Sequence, residues 1–189
     1  MKFRFADLFY QHDEFQLIFV EPFHALASFF THRNDLTTTT NYAEARGSID
    51  LTKPWDDPAN KKAYETNIAT YRCPSADVAP VYATYVGLVG QDLFFTPAEP
   101  RSIKAITDGT SNTLAVIEVA QHHSVHWMSP EDGGDEILAS SKTETYFSHA
   151  GGFQALLADG SVRFLSQDIS TETLTALTTV AGGEMIGEY

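Results

Sequence analysis

The run Phe153 to Ser166, FQALLADGSVRFLS, constrains this chain more than any other stretch, because two apolar strands flank an Asp159-Gly160 step. Asp-Gly readily adopts the positive φ angles that a two-residue type I′ turn demands, so the run predicts a β-hairpin. A loop of that length fixes the register. Ala158 then faces Ser161, Leu157 faces Val162 and Ala155 faces Phe164. Phe153, Ala155, Leu157, Val162 and Phe164 share the core face, while Gln154, Ser161 and Arg163 lie opposite beside Leu156 and Leu165. A lone hairpin is marginal in water, so the rest of the chain is expected to cover it.

The covering material is available. At 189 residues with 43% hydrophobic content, one domain with a sizeable core is the default. Twelve Lys plus Arg stand against 25 Asp plus Glu, a net charge of -13, which disfavours nucleic-acid backbones and anionic membranes as partners. Cys73 is the single cysteine, so neither an intrachain disulfide nor a cysteine-based zinc site can form. Its place before a proline in YRCPS, with no catalytic partner nearby in sequence, reads as a buried thiol. Phe15 to Phe30 is apolar-rich but broken by Glu21, Pro22 and His24, and no apolar run is long enough to span a membrane.

Along the chain, Phe3 and Phe5 alternate with charged residues as in a strand, Phe15 to Val20 suits a buried strand, and Phe23 to His32 has helical spacing. The four threonines at 37 to 40 read as a loop or a solvated edge strand. Asp57-Pro58 is an N-cap with proline in the first helical position, predicting a helix from Ala59 to about Asn67. Pro74 disfavours helix just before it, so Ile68 to Cys73 is expected to be extended, with Trp55 as a core anchor. Ala83 to Val89 is one strand by composition, and Thr113 to Ala120, apolar on both faces, belongs in mid-sheet. Ser129 to Ser141 reads as a loop and Thr143 to Phe147 as the approach to the hairpin. Ser170 caps a helix over Thr171 to about Thr179, with Gly182 as its stop and Glu184 to Tyr189 as a last short strand.

Several side chains invite a chemical reading. His149 and Asp159 suggest an acid–base pair, but a straight strand would hold them about 33 Å apart. Only a sharp bend at Gly151-Gly152 could unite them, so no catalytic residue is assigned. The plainer reading has His149 bonding a neighbouring loop and Asp159 serving the turn. Glu118, His122 and His126 sit at i, i+4 and i+8, which on a helix would line one face as metal ligands, with His123 as a fourth. On a strand, residues four apart stand about 13 Å from each other, too far to share an ion. Zinc through these residues, or calcium through Glu118, Asp108 or Asp159, is therefore only an alternative to no cofactor at all, and no contiguous calcium-loop motif supports it. Glu118 ends a buried strand and needs a partner, for which Arg72, Arg101 and Arg163 are candidates. Ser111 in GTSN lacks the nucleophile-elbow pattern and reads as part of the Asp108-Gly109 turn.

His149, nine intervening residues and Asp159-Gly160 also resemble the H-x9-DG signature of a large pilin-like, prepilin-processing-associated family of planctomycete type. Further matches follow in order: DLTKPWDDPAN at 50 to 60, YRCPS at 71 to 75, TYVGLVG at 84 to 90, ITDGTSNTLAVIEVA at 106 to 120, VHWMSPED at 125 to 132 and TLTALTTVAGGEMIGEY at 173 to 189. The resemblance implies residues 49–189 as an H-x9-DG domain, with residues 1–48 a divergent segment packed on it. It implies a single α+β domain, an antiparallel sheet with flanking helices forming a pseudopilin-like globular head. The family typically carries a prepilin leader and a long apolar helix. Neither is read in this sequence, so no membrane insertion by this chain is expected. The implied role is a non-enzymatic structural or interaction protein, extracellular, at the cell surface or periplasmic, like the pilin-like subunits of type II secretion. Its expected partners are copies of itself, other pilin-like subunits or secreted cargo. His149, Asp159 and Gly160 are the signature residues. Two alternatives remain: an extracellular solute- or glycan-binding module with a pocket lined by Trp55, Trp127 or tyrosines, and a metal-dependent hydrolase using Glu118, His122 and His126.

Overall fold

The hairpin about Asp159-Gly160 forms, but one residue out of the expected register. In the computed structural model, which describes residues 36–96, 101–129, 133, 147–187 and 189, strand β5 (Gly152–Leu157) pairs antiparallel with β6 (Val162–Ser166). Phe153 faces Leu165, Gln154 faces Phe164, Ala155 faces Arg163 and Leu156 faces Val162. The strands close with Leu157 N–H on Ser161 O at 2.9 Å, and Gly160 N–H on Leu157 O at 2.9 Å. That leaves three residues in the loop, with Gly160 at φ 87, the geometry of a turn followed by a glycine bulge. The extra loop residue swaps the faces of β6. Leu165 is buried at 1% exposure while Phe164, expected in the core, is 48% exposed.

The class is mixed α+β, with helices and antiparallel sheets. The described residues fall into two compact units, one drawn from positions 36–84 and 124–129, the other from positions 85–123 and from 133 onwards. The expected strands and helix before residue 36 lie outside the described residues, as do most of the loop over 129–141 and the approach over 143–146.

In the first unit, α1 (Leu36–Gly47) takes up the threonines that composition assigned to a loop or strand. Threonine's weak helix propensity is overridden by packing: Ala45 is 1% exposed, and α1 lies against α2 (Lys61–Tyr64). Asp57 does cap the chain ahead of α2, its carboxylate accepting Ala59 N–H at 2.8 Å, but the turn it opens is a 3-10 helix over Pro58–Asn60. The helix ends at Tyr64 rather than near Asn67, and Ala69–Tyr71 forms a second 3-10 turn where extended chain was expected. Asn60 organises the segment before α2. Fully buried, it accepts Asp50 N–H through Oδ1 at 2.6 Å and donates through Nδ2 to Asp50 O at 3.2 Å and Pro54 O at 2.9 Å. Strands β1 (Tyr82–Ala83) and β4 (Val125–His126) pair as a short antiparallel ribbon.

The second unit holds the main sheet, in the order β2 (Tyr85–Gly87), β3 (Leu114–Glu118), β5 and β6, all antiparallel. The single strand expected over residues 83–89 is thus broken at Thr84. That residue turns its N–H to Tyr71 O at 2.9 Å and its hydroxyl oxygen to Cys73 N–H at 2.7 Å. As its two-sided apolar pattern requires, β3 is buried at every position and lies within the sheet. A bulge between Leu114 and Val116 adjusts its register against β5. The outer side of β2 is taken by Gly133, which donates to Gly87 O at 2.9 Å and accepts Val89 N–H at 2.8 Å. Helix α3 (Thr171–Thr178) is capped by Ser170, whose hydroxyl accepts Thr173 N–H at 3.0 Å, and packs Leu174 and Leu177 inward against β3.

Helix α3 stops because Thr179 turns extended at ψ 151, so Gly182 is not its terminating residue. Instead the Gly182 and Gly183 N–H groups both donate to the Asp108 carboxylate, at 2.8 and 3.0 Å. The chain held in this way forms no strand among the described residues of 184–189. No described helix is long and apolar enough to cross a membrane.

Candidate functional site

The chemistry-bearing pair in this fold is Glu118 with His149, and the hairpin's approach brings the two together. Glu118 ends β3 opposite Tyr85, on a strand that lies between β2 and β5, and has 0% exposure. His149 precedes a tight reversal: it makes an antiparallel bridge to Gly152, with Gly151 between them at φ 84, a value suited to glycine. Phe147 stacks on Phe153 with ring centroids 5.0 Å apart, and Gln167 N–H on Gly151 O at 2.9 Å ties the reversal to the end of β6. The result sets His149 Nε2 3.7 Å from Glu118 Oε2.

Glu118 Oε2 also accepts Gln154 N–H at 3.0 Å, which orients the carboxylate from the backbone of β5. Among the described residues no hydrogen-bond donor reaches the buried Oε1. Among the described residues the partners of this carboxylate are therefore a histidine and a backbone amide, and none is an arginine. Arg101 lies elsewhere, donating to Gln91 O at 2.5 Å, and Arg163 is exposed on β6. The His149 side chain is 33% exposed, so the pair has a buried acidic end and a half-open basic end.

Asp159 sits at the far end of β5 from His149. Its Oδ1 accepts Ser161 N–H at 2.8 Å and the Ser161 hydroxyl at 2.7 Å, and these bonds hold its carboxyl below the usual carboxylate range. Its own N–H donates to Thr110 O at 3.0 Å. The bend at Gly151 is present, but it carries His149 to β3 and away from Asp159.

His126 has both ring nitrogens engaged. Nε2 lies 2.9 Å from Tyr64 O and Nδ1 accepts Met128 N–H at 3.2 Å, so the neutral tautomer carries its proton on Nε2. Its ring packs among Trp55, Tyr82 and Tyr64 at centroid distances of 4.8, 6.1 and 6.2 Å, and burial pushes its pKa down, partly opposed by the bond to Tyr64. That leaves no nitrogen on His126 for an ion. His122 and His123 share a 3-10 turn with rings 4.2 Å apart. Asp108 faces Gly182 and Gly183, and Asn112 Nδ2 closes the Asp108 turn on Asp108 O at 3.1 Å. Cys73 is buried and, as the single cysteine of the chain, is in no intrachain disulfide.

The sequence singled out Glu118 and His149 separately and joined neither to the other. They are 31 positions apart, and only the register of β3 on β5 together with the Gly151 reversal unites them. Comparison with known proteins finds no matching family model, no matching curated protein and no matching solved structure.

Proposed function

We propose that this chain is a non-enzymatic, pilin-like protein of the cell surface or the secreted space, acting through the surfaces it presents to copies of itself, to related subunits or to secreted cargo. One observation carries the reading: the polar groups of the signature fasten the two ends of one strand. His149 reaches Glu118 at one end of β5, and Asp159 holds Ser161 at the other. A signature whose residues serve a scaffold suits a module that binds and assembles. The α+β class with an antiparallel sheet agrees with the globular head that the resemblance implies.

The test is surface labelling and cross-linking of the protein produced from its native gene in its own cells, read by mass spectrometry. The chain should be labelled from outside and cross-linked to itself or to another pilin-like subunit. Confinement to the cytosol with no such cross-link would refute the reading. The ring cluster of Trp55, Tyr64, Tyr82 and His126 favours a second reading, a solute- or glycan-binding module, since aromatic faces stack on sugars. That reading requires a ligand-dependent rise in unfolding temperature that Trp55→Ala abolishes.

A further inference from the structure

We infer that Glu118 and His149 form a binding site for a divalent transition ion of the zinc type, a site distinct from the Glu118, His122 and His126 set suggested by sequence spacing. This site stands independently of the pilin-like reading. Glu118 is fully buried, and no donor among the described residues reaches its Oε1. A buried carboxylate oxygen without a donor is costly, and a cation is one of the few groups that can satisfy it.

The spacing fits such an ion. The 3.7 Å from His149 Nε2 to Glu118 Oε2 is too long for a hydrogen bond. Two ligand atoms each about 2.1 Å from one zinc lie about 3.4–3.6 Å apart at near-tetrahedral to trigonal angles. The separation of Nε2 and Oε2 is therefore within about 0.3 Å of what one shared zinc requires. The ligand chemistry narrows the ion, because an imidazole nitrogen beside a carboxylate suits zinc-type metals, whereas calcium and magnesium take oxygen ligands.

Both ligands are already oriented. Gln154 N–H fixes the carboxylate, and the Gly151 reversal with its bridge to Gly152 fixes the histidine backbone. The partly exposed imidazole gives the ion a route in, and water or further groups complete its coordination.

The experiment uses the full chain, stripped with a chelator and titrated with zinc chloride at neutral pH. Equilibrium dialysis should give one tightly bound zinc per chain. With zinc 100-fold above its Kd, the unfolding midpoint should rise by about 5–10 °C, and calcium at the same concentration should leave it unchanged. His149→Gln, at a partly exposed side chain, should weaken zinc binding at least ten-fold, while His122→Gln should leave it unaltered. Glu118→Gln should also lose the shift, and His149→Gln carries the test if that buried change prevents folding. No zinc-dependent shift in the unmodified chain, or an equal shift in His149→Gln, overturns the inference.

Discussion

Gly152→Ala is the substitution that most directly probes how the hairpin and the candidate site are joined. A Cβ built on Gly152 runs into the Leu165 carbonyl oxygen, with Phe164 Cζ at 2.9 Å and the Leu165 carbonyl carbon at 3.0 Å. The obstruction is mostly backbone, so a side-chain rotation cannot relieve it and the end of β6 must retreat. The bond from Gln167 N–H to Gly151 O, with the alternation of an antiparallel ladder, makes Phe153 and Leu165 a pair joined by two hydrogen bonds. Losing both costs about 2 kcal/mol, and lifting the buried Leu165 adds about 1 kcal/mol. Alanine's advantage over glycine in a strand returns about 0.5–1 kcal/mol, leaving a net loss of about 2–2.5 kcal/mol. For a chain of this size that lowers the unfolding midpoint by roughly 5–10 °C. Gly151→Ala is the control, since its Cβ meets nothing within 4 Å and its φ of 84 costs about 1–2 kcal/mol through conformation alone. Calorimetry gives the two midpoints, and hydrogen exchange at the Phe153 and Leu165 amides separates the mechanisms. Gly152→Ala should open those amides and Gly151→Ala should not. A Gly152→Ala protein as stable as the parent, with both amides still protected, would refute the register of β5 on β6.

Asn60→Ala removes three hydrogen bonds around a fully buried amide and should cost about 2–3 kcal/mol, measured by urea unfolding. Asp159 has its folded pKa held low by Ser161, so its contribution is present above about pH 4 and is lost as pH falls through the folded value. In Asp159→Asn, the fall of the melting midpoint between pH 5 and pH 2.5 should be shallower than in the parent. His126 behaves in the opposite chemical sense, because burial disfavours its charged form. Its unfolded state binds more protons just below about pH 6.5, so stability is full above that pH and declines as acid is added. The midpoint of the parent should therefore drop more than that of His126→Gln between pH 7.5 and pH 5.5.

Much of the scaffold was legible because local chemistry and tertiary packing agree there. The run Thr113 to Ala120, apolar on both faces, had to lie inside a sheet, where Leu114–Glu118 forms the strand, and Ser170 had to start a helix. The register of the hairpin was not legible, since Asp-Gly serves a two-residue loop and a three-residue loop with a glycine bulge equally well. What distinguishes them is the grip of Asp159 on Ser161 and the burial of Leu165, and both depend on the folded sheet. The threonine run became a helix for a related reason, as packing outweighs a propensity of a few tenths of a kcal/mol per residue. Glu118 was recognised as needing a partner, but reading only arginines as candidates missed the histidine delivered by the Gly151 reversal.

The main sheet has two margins, and they are not equivalent. Gly133 occupies the backbone groups beyond β2, whereas among the described residues no strand lies beyond β6. The amide and carbonyl groups of Val162 and Phe164 point outward there, alternating with those of Arg163 and Leu165 that bind β5. Among the described residues, the margin left for another extended segment is therefore the one along β6, beside the exposed ring of Phe164.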